Sequence, residues 1–250
     1  TDDEIYEPRR MTVTDILVRS SNTGTITWAQ ELGETKLDGY LRDFGFGQPT
    51  GLGFPGESPG ILEPVDQWSG THIATIAIGQ SIAVTPMQML AAYNVLANDG
   101  LYVAPRLVKA VDGERPDDVV VPRRVVTSET AGDVTEMLTL VVDAGTARAA
   151  QVPGYAIAAK TGTARKVQES GGYRDAAGNF HYIATVAGFF PAEDPQFSMI
   201  VVIDEPATDI YASRIAAPLF GELAAWTLRH YQVSPAGDVV FDAAAVGKES

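Results

Sequence analysis

Cysteine is absent from the 250-residue chain, which excludes disulfide bonds, a thiol nucleophile and cysteine-based zinc sites. Histidine is also scarce. His72, His181 and His230 lie far apart in the sequence, without the close spacing that zinc ligands usually show. We therefore expect neither a metal site nor a cofactor in this chain.

Long hydrophobic runs and an excess of positive charge are missing as well. No run reaches the roughly 18 consecutive apolar residues that a transmembrane helix needs, and no basic and apolar leader opens the chain. The 18 basic and 32 acidic residues give a net charge of −14, which argues against nucleic acid because its phosphates would be repelled. Hydrophobic residues still make up 45% of the chain, enough for a packed core.

Helical patterns fill the chain from about residue 10 to residue 145. One capping box, formed by Thr12 and Asp15, begins a first helix, and another, formed by Thr85 and Gln88, begins the clearest one. Ser128 is predicted to cap the last helix of this part. The predicted helices cover residues 11–19, 25–47 with a break at Gly33, 85–98 and 129–143.

The last third of the chain predicts a sheet. Three strand-like runs cover residues 154–167, 181–192 and 196–206, and an amphipathic helix follows over 213–231. We assign the sheet and its closing helix to about 150–232 and a loosely ordered tail to 233–250. Helices followed by an antiparallel meander and a closing helix indicate an α+β fold.

Two motifs could carry chemistry. The first is Ser20-Ser21-Asn22 at a helix end, where a simple helix stop is the ordinary interpretation. The second is Lys160-Thr161-Gly162-Thr163, where a strand with a lysine reaching outward is the ordinary interpretation. Ala158 and Ala159 are too small to cover a lysine stem, and a glycine inside a strand allows another chain to approach closely. A cation and hydroxyls on an accessible strand would make a receptor for a peptide carboxylate.

A third pattern, Gly51-x-Gly53-x-x-Gly56, formally matches a dinucleotide-binding loop. No strand precedes it, and Pro55 stands where the N-terminus of a helix should hold phosphate. We interpret this stretch as a structural loop.

The order and separation of the two motifs resemble those of the penicillin-recognising serine acyltransferases. The stretches GLGFPGE, IAIGQSIAVTPMQMLAAYNVLANDG, DAGTARAA, AAKTGTA and AGFFPAEDPQFSMIVVIDEP are similar to the class B penicillin-binding proteins, over roughly residues 10–230. These are monofunctional peptidoglycan DD-transpeptidases and include the cell-division enzyme. The resemblance implies a penicillin-binding-protein and β-lactamase-like fold, in which helices flank an antiparallel sheet and residues 1–250 form the C-terminal portion of one transpeptidase domain.

The resemblance also implies a catalytic role for three residues. Ser20 resembles the hydroxyl that relays a proton between the catalytic centre and the leaving or incoming amine. Asn22 resembles the side chain that binds the acyl-donor amide and steadies a lysine. Lys160 resembles the cation that binds the terminal carboxylate of the donor peptide, or of a β-lactam, and tunes the proton relay.

Three further residues are implied to bind substrate. Thr161 and Thr163 would add hydroxyls to the carboxylate site, and the backbone N–H of Thr163 would be one of two oxyanion-hole donors. Gly162 has no side chain and would let a substrate peptide lie close against the strand.

The family's nucleophile is the serine of an S-x-x-K motif, and none of the eleven serines here has a lysine three positions later. We therefore expect a fragment that lacks the nucleophile, its partner lysine and the first strands of the sheet. Three strands of a five-stranded sheet would remain, with an exposed apolar face and edge. The missing N-terminal segment could associate as another chain, and the fragment alone should be inactive.

The implied function is cross-linking of stem peptides ending in D-Ala-D-Ala through a serine acyl-enzyme that β-lactams also form. The implied location is the extracytoplasmic face of the membrane, with an anchoring N-terminal helix outside this chain and a division glycosyltransferase as a candidate partner. Two alternatives stay open. One is a non-catalytic module that binds a peptide or scaffolds division proteins, and the other is a serine β-lactamase, for which no deacylating glutamate motif stands out.

Overall fold

Helices occupy the first part of the chain, and a sheet with one long helix occupies the last part. The computed structural model describes residues 10–110, 112, 114, 121–168 and 171–235. The helices before the sheet are α1 (Val13–Arg19), α2 (Asn22–Leu32), α3 (Glu34–Asp43), α4 (His72–Ala77), α5 (Pro86–Ala97) and α6 (Ser128–Ala144). The predicted α+β class is confirmed. The predicted tail lies largely outside the described residues.

Helix ends follow the capping signals in the sequence, with one correction. The two predicted capping boxes are present, formed by Thr12 with Asp15 and by Thr85 with Gln88. The prediction that Ser128 caps the last helix of this part is wrong by one residue. The Thr127 side chain accepts the N–H of Thr130, so Thr127 is the cap and Ser128 is the first helical residue. Thr and Ser are both good helix caps, so the sequence does not show which of these two neighbours caps the helix.

The three predicted strands are confirmed and form one antiparallel sheet. They are β3 (Ala158–Arg165), β4 (Tyr182–Phe190) and β5 (Phe197–Asp204), in the order β3-β4-β5. A separate two-stranded ribbon joins β1 (Leu101–Tyr102) to β2 (Arg123–Arg124). Within the described sheet, β3 is therefore an edge strand, and one side of its backbone is open to an extended peptide.

Two apolar clusters cover opposite faces of the sheet. The last helix, α7 (Ala212–His230), packs Phe220 against Ala159 and Val186 on one face, while α6 places Leu138 against Ala158 on the other. Because strand side chains alternate, Ala158 faces α5 and α6, and Ala159 faces α7.

Apolar side chains also lie exposed on the outer side of α7. Leu219, Leu223 and Trp226 are 40%, 41% and 56% exposed, and they follow one another along one stripe of the helix. The predicted exposure concerned a face and an edge of the sheet itself, which this helix stripe does not test. Among the described residues, no helix has both the length and the apolar character needed to cross a bilayer.

Candidate active site

Ser20 lies in the sharp junction between α1 and α2. Its φ of 55° is left-handed, an uncommon conformation for a residue other than glycine. The N–H of Ser20 donates to the Leu17 carbonyl at 3.1 Å, and the N–H of Ser21 donates to the Ile16 carbonyl at 3.0 Å. These two bonds close the end of α1. The junction therefore ends one helix and leaves the exposed Ser20 side chain beyond it.

Asn22 begins α2 instead of belonging to a stop between helices. The side chain of the buried Ser21 accepts the N–H of Gly24 at 3.1 Å, so Ser21 is the cap of α2. The prediction that this helix starts near Thr25 is therefore wrong by about one turn. The partly buried Asn22 amide makes no hydrogen bond with another described residue. The motif thus consists of the end of one helix, a cap, and the start of the next.

Lys160 extends from β3 to the α1–α2 junction. Its Nζ donates to the Ser20 Oγ at 2.8 Å and to the Thr161 carbonyl at 3.0 Å. Both partners are neutral, so burial of the ammonium group dominates and lowers the pKa of Lys160 to about 8. A lysine with such a pKa can exchange a proton near neutral pH. The structure thus brings together two of the three predicted catalytic residues.

The remaining residues of the second motif lie along the open edge of β3. Gly162 is exposed, and a Cβ built on it would meet no atom within 4 Å, so a ligand could approach its backbone. The Thr163 hydroxyl accepts the N–H of Ala212 at 3.1 Å and keeps its own proton to donate. The Thr161 hydroxyl lies 2.8 Å from that of Thr146. The carboxylate-binding role of the two strand threonines stays a prediction.

A family model described as the penicillin-binding protein transpeptidase domain matches residues 1–225. The chain belongs to this family. The chain is 41% identical over 240 residues to penicillin-binding protein PbpB of Mycolicibacterium smegmatis. It is 35% identical over 227 residues to peptidoglycan D,D-transpeptidase FtsI of Escherichia coli K12. The alignments cover 89% and 90% of this chain but 36% and 37% of the relatives, so the chain spans just over a third of their length.

Solved structures support the same family. The chain matches penicillin-binding protein 3 of Mycobacterium tuberculosis, complexed with aztreonam, with a TM-score of 0.80 and 38% identity over 90% of this chain and 53% of that one. The transpeptidase domain of penicillin-binding protein 3 from Burkholderia pseudomallei matches with a TM-score of 0.79 and 31% identity, covering 91% of this chain and 66% of that one. The resemblance to class B penicillin-binding proteins and their fold is confirmed.

Two residues that the sequence analysis missed connect the parts of the candidate site. Thr146 contacts Thr161, and Gly145 lies so close to α1 that a Cβ on it would sit 2.4 Å from the carbonyl oxygen of Val18. Both belong to the stretch DAGTARAA, which carries the family resemblance but suggested no role. Local propensity gives no signal for a contact between residues so far apart in sequence.

An ion-pair network lies beyond the other end of β3. Lys166 Nζ contacts Asp204 Oδ2 at 2.7 Å and Glu205 Oε1 at 2.8 Å. His181 bridges Glu205 and Asp175, with Nδ1 at 3.2 Å from Glu205 Oε2 and Nε2 at 3.0 Å from Asp175 Oδ2. Among the described residues, no group of side chains is arranged to hold a metal ion. The network joins the β3–β4 link to the end of β5.

Proposed function

We propose that the protein containing this chain is a peptidoglycan DD-transpeptidase that works through a serine acyl-enzyme. The observation that carries the proposal is the 2.8 Å contact between Lys160 Nζ and Ser20 Oγ, beside the open edge of β3. An amine of lowered pKa bonded to a hydroxyl can move a proton, and an open strand can hold a peptide. The two functions of an acyl-transfer site therefore lie side by side.

The proton path is proposed to run through Ser20. When a serine attacks the penultimate D-Ala carbonyl, a C–O bond forms, and the serine proton passes to the partner lysine of the S-x-x-K motif, which returns it when the acyl-enzyme breaks down. The C–N bond to the last D-Ala breaks, and the leaving amine needs a proton. The Ser20 hydroxyl can pass that proton on and recover one from Lys160. In the second step the incoming amine loses a proton by the same path in reverse. Asn22, which begins α2, would hold the donor amide.

The substrate is proposed to lie along β3. A stem peptide ending in D-Ala-D-Ala could pair with the strand edge above Gly162, where a side chain would find open space. The terminal carboxylate would meet the Thr163 hydroxyl, whose proton is free to donate, together with Thr161 and the Lys160 charge. The backbone N–H of Thr163 would stabilise the oxyanion. β-lactams would occupy the same place, as the relatives complexed with aztreonam and ampicillin suggest.

The nucleophile is proposed to come from outside these 250 residues, because no S-x-x-K motif occurs within them. The isolated chain would then be inactive. Location on the extracytoplasmic face of the membrane, a membrane anchor and a division glycosyltransferase as partner are proposed on family resemblance.

Labelling with a fluorescent penicillin tests this function. The full-length protein and the isolated 250-residue chain are incubated with the label, and the modified peptide is mapped by mass spectrometry. We expect a stable adduct on a serine outside this chain in the full-length protein, and no adduct on the isolated chain. An unlabelled full-length protein would support the non-catalytic module, and rapid penicillin turnover would support a β-lactamase. An adduct on one of the eleven serines here would contradict the proposed nucleophile.

A further inference from the structure

The turn after α6 contacts the two elements, α1 and β3, that hold the residues of the proposed proton path. α6 ends at Ala144, and Gly145 and Thr146 follow it directly; we call these two residues the Gly145–Thr146 turn. The N–H of Gly145 donates to the Val141 carbonyl at 3.1 Å, so the turn is anchored to the buried end of α6. Neither residue touches Ser20 or Lys160 through a hydrogen bond of its own. Their influence on those residues must pass through α1 and β3.

Gly145 fixes how closely α1 lies against α6. A Cβ at this position would lie 2.4 Å from the Val18 carbonyl oxygen and 2.9 Å from the Val141 carbonyl oxygen. Both are backbone atoms in helices, so neither can move aside without moving its helix. The φ of −108° is open to any residue, so the glycine is needed for space and not for conformation. Val18 stands two residues before Ser20, at the end of the same short helix.

Thr146 fixes the position of β3, the strand that holds Lys160. Its Oγ1 lies 2.8 Å from the Oγ1 of Thr161, which is next to Lys160 on β3. Both hydroxyls are partly buried, which favours a hydrogen bond between them over bonds to water. One end of the turn therefore holds α1, and the other holds the strand that carries the lysine.

We propose that the Gly145–Thr146 turn positions Ser20 against Lys160, with Gly145 setting the place of α1 and Thr146 setting the place of β3. The inference rests on the proposed transpeptidase function, because the contact it maintains is the proton path of that function. Both are positioning residues, since neither is placed against the substrate. A shift of about 1 Å between catalytic groups can cost on the order of 100-fold in rate, so a small displacement of either element would be measurable.

The Thr146 half is tested with Thr146→Val, which keeps the shape and removes the hydroxyl, and Thr146→Ser, which keeps the hydroxyl. The control is Thr139→Val, because the Thr139 hydroxyl bonds, among the described residues, only the Thr135 carbonyl of its own helix, α6. The measurement is the acylation rate constant of the full-length protein with a penicillin. We expect Thr146→Val to lose about three- to tenfold, as removal of one hydrogen bond predicts, and both Thr146→Ser and the control to stay within about twofold of wild type.

The Gly145 half is tested with Gly145→Ala against Gly132→Ala. Gly132 lies exposed in α6, the helix that Gly145 follows, and a Cβ there would meet no atom within 4 Å. We expect Gly145→Ala to slow acylation on the order of 100-fold by separating α1 from α6, and Gly132→Ala to leave acylation unchanged. Should Gly145→Ala fail to fold, the Thr146 pair carries the test alone.

A second readout does not depend on catalysis. The pH dependence of acetylation of Lys160 by acetic anhydride gives its pKa by mass spectrometry, with Lys166 as the reference in the same molecule. We expect Gly145→Ala to raise the pKa of Lys160 towards that of an ordinary lysine, because separation of α1 admits water to the ammonium group. Thr146→Ser and Gly132→Ala should leave the pKa of Lys160 unchanged.

The outcomes separate the two proposals. Wild-type acylation and an unchanged Lys160 pKa in both Thr146→Val and Gly145→Ala would overturn the positioning role. Failure of Thr146→Ser to restore the rate would also overturn it, since the hydroxyl would then not be the reason. A wild-type protein that penicillin does not acylate would overturn the transpeptidase function, while the pKa measurement would still decide whether the turn holds the contact.

Discussion

Two lysines six positions apart on one strand and its extension have opposite surroundings. Lys160 lies against a serine hydroxyl and a backbone carbonyl, and burial lowers its pKa to about 8. Lys166 lies against Asp204 and Glu205, whose hydrogen bonds raise its pKa. Neutral partners leave the first lysine able to give up its proton, whereas two carboxylates keep the second one charged.

The difference divides β3 into a reactive end and a structural end. At the reactive end, the proton of Lys160 can move to or from Ser20. At the other end, the charges of Lys166, Glu205 and Asp175 join His181 in a chain of ion pairs that ties the β3–β4 link to the end of β5. The residue type alone therefore does not show which lysine carries chemistry; burial and partners do.

The largest contrast is expected when each lysine is replaced. Lys160→Ala should reduce the rate of acylation of the full-length protein by penicillin on the order of 100-fold or more, as loss of a general acid–base group predicts. Lys166→Ala is the matched control and should change the rate by less than about twofold, since exposed ion pairs contribute little. Equal effects of the two substitutions on the acylation rate would contradict the claim that Lys160 takes part in acylation and Lys166 does not.

A second contrast lies in how stability depends on pH. The folded-state pKa of Lys160 is about 8, below its ordinary value of 10.5, so the folded protein bears the cost of a buried charge below pH 8 and is relieved of it as pH rises. Relative to Lys160→Met, the wild-type free energy of unfolding should rise between pH 8 and 10.5 by up to about 3 kcal/mol. Chemical denaturation of both proteins across this range measures the difference, and a flat or falling difference would contradict the buried charge.

Ser20 allows chemistry and backbone strain to be separated. Ser20→Gly and Ser20→Ala both remove the hydroxyl bonded to Lys160, so both should acylate slowly. Glycine adopts the φ of 55° without strain, whereas alanine adopts it at a cost, so Ser20→Gly should be more stable than Ser20→Ala by about 1 kcal/mol. Acylation rates and melting temperatures of the pair check this. Normal acylation by the glycine variant would show that the hydroxyl is not on the proton path.

The smallest effect is expected at the structural end. Hydrogen bonding to Asp175, with Glu205 adding to it, raises the pKa of His181 above its usual value. A raised folded-state pKa gives stability that is fully present below the unfolded pKa and is lost as pH rises through the folded pKa. The stability of wild type over His181→Gln should therefore be larger at pH 5 than at pH 8, with acylation unaffected.

His230→Gln is the matched histidine substitution, because the His230 ring stacks on Trp226 of α7, 4.7 Å between centroids, and takes no part in the His181 ion pairs. It should leave the acylation rate unchanged. If His181→Gln instead changed the acylation rate, the ion-pair network around His181 would contribute to acylation, and the division of β3 into two ends would be wrong.

The sequence predicted most of the fold because its signals are local. Capping boxes marked helix starts at Thr12 and Thr85, and the three strand-like runs are joined by links rich in turn residues. Misassignments arose where neighbouring residues suit the same role, as at Thr127 and Ser128, or where two helices meet at Ser20 and Asn22. In both cases the residues have similar capping propensities, and the path of the backbone in the fold determines which of them is the cap.

The candidate site was predictable only in part, for the same reason. Ser20 and Lys160 belong to motifs that stand out within the sequence, and the structure brings them into contact. Gly145 and Thr146 matter through distances to Val18 and Thr161, which no local pattern contains. Contacts between residues far apart in the sequence can be predicted from the sequence only when the residues belong to a recognised motif.

A structure of the full-length protein acylated by a penicillin would test the central claim most directly. We predict that the carboxylate of the adduct lies within hydrogen-bonding distance of the Thr163 hydroxyl, along β3. We predict as well that Lys160 and Ser20 remain in contact beside the acylated serine. An adduct whose carboxylate lies away from β3, or a site in which Lys160 and Ser20 are separated, would contradict the account.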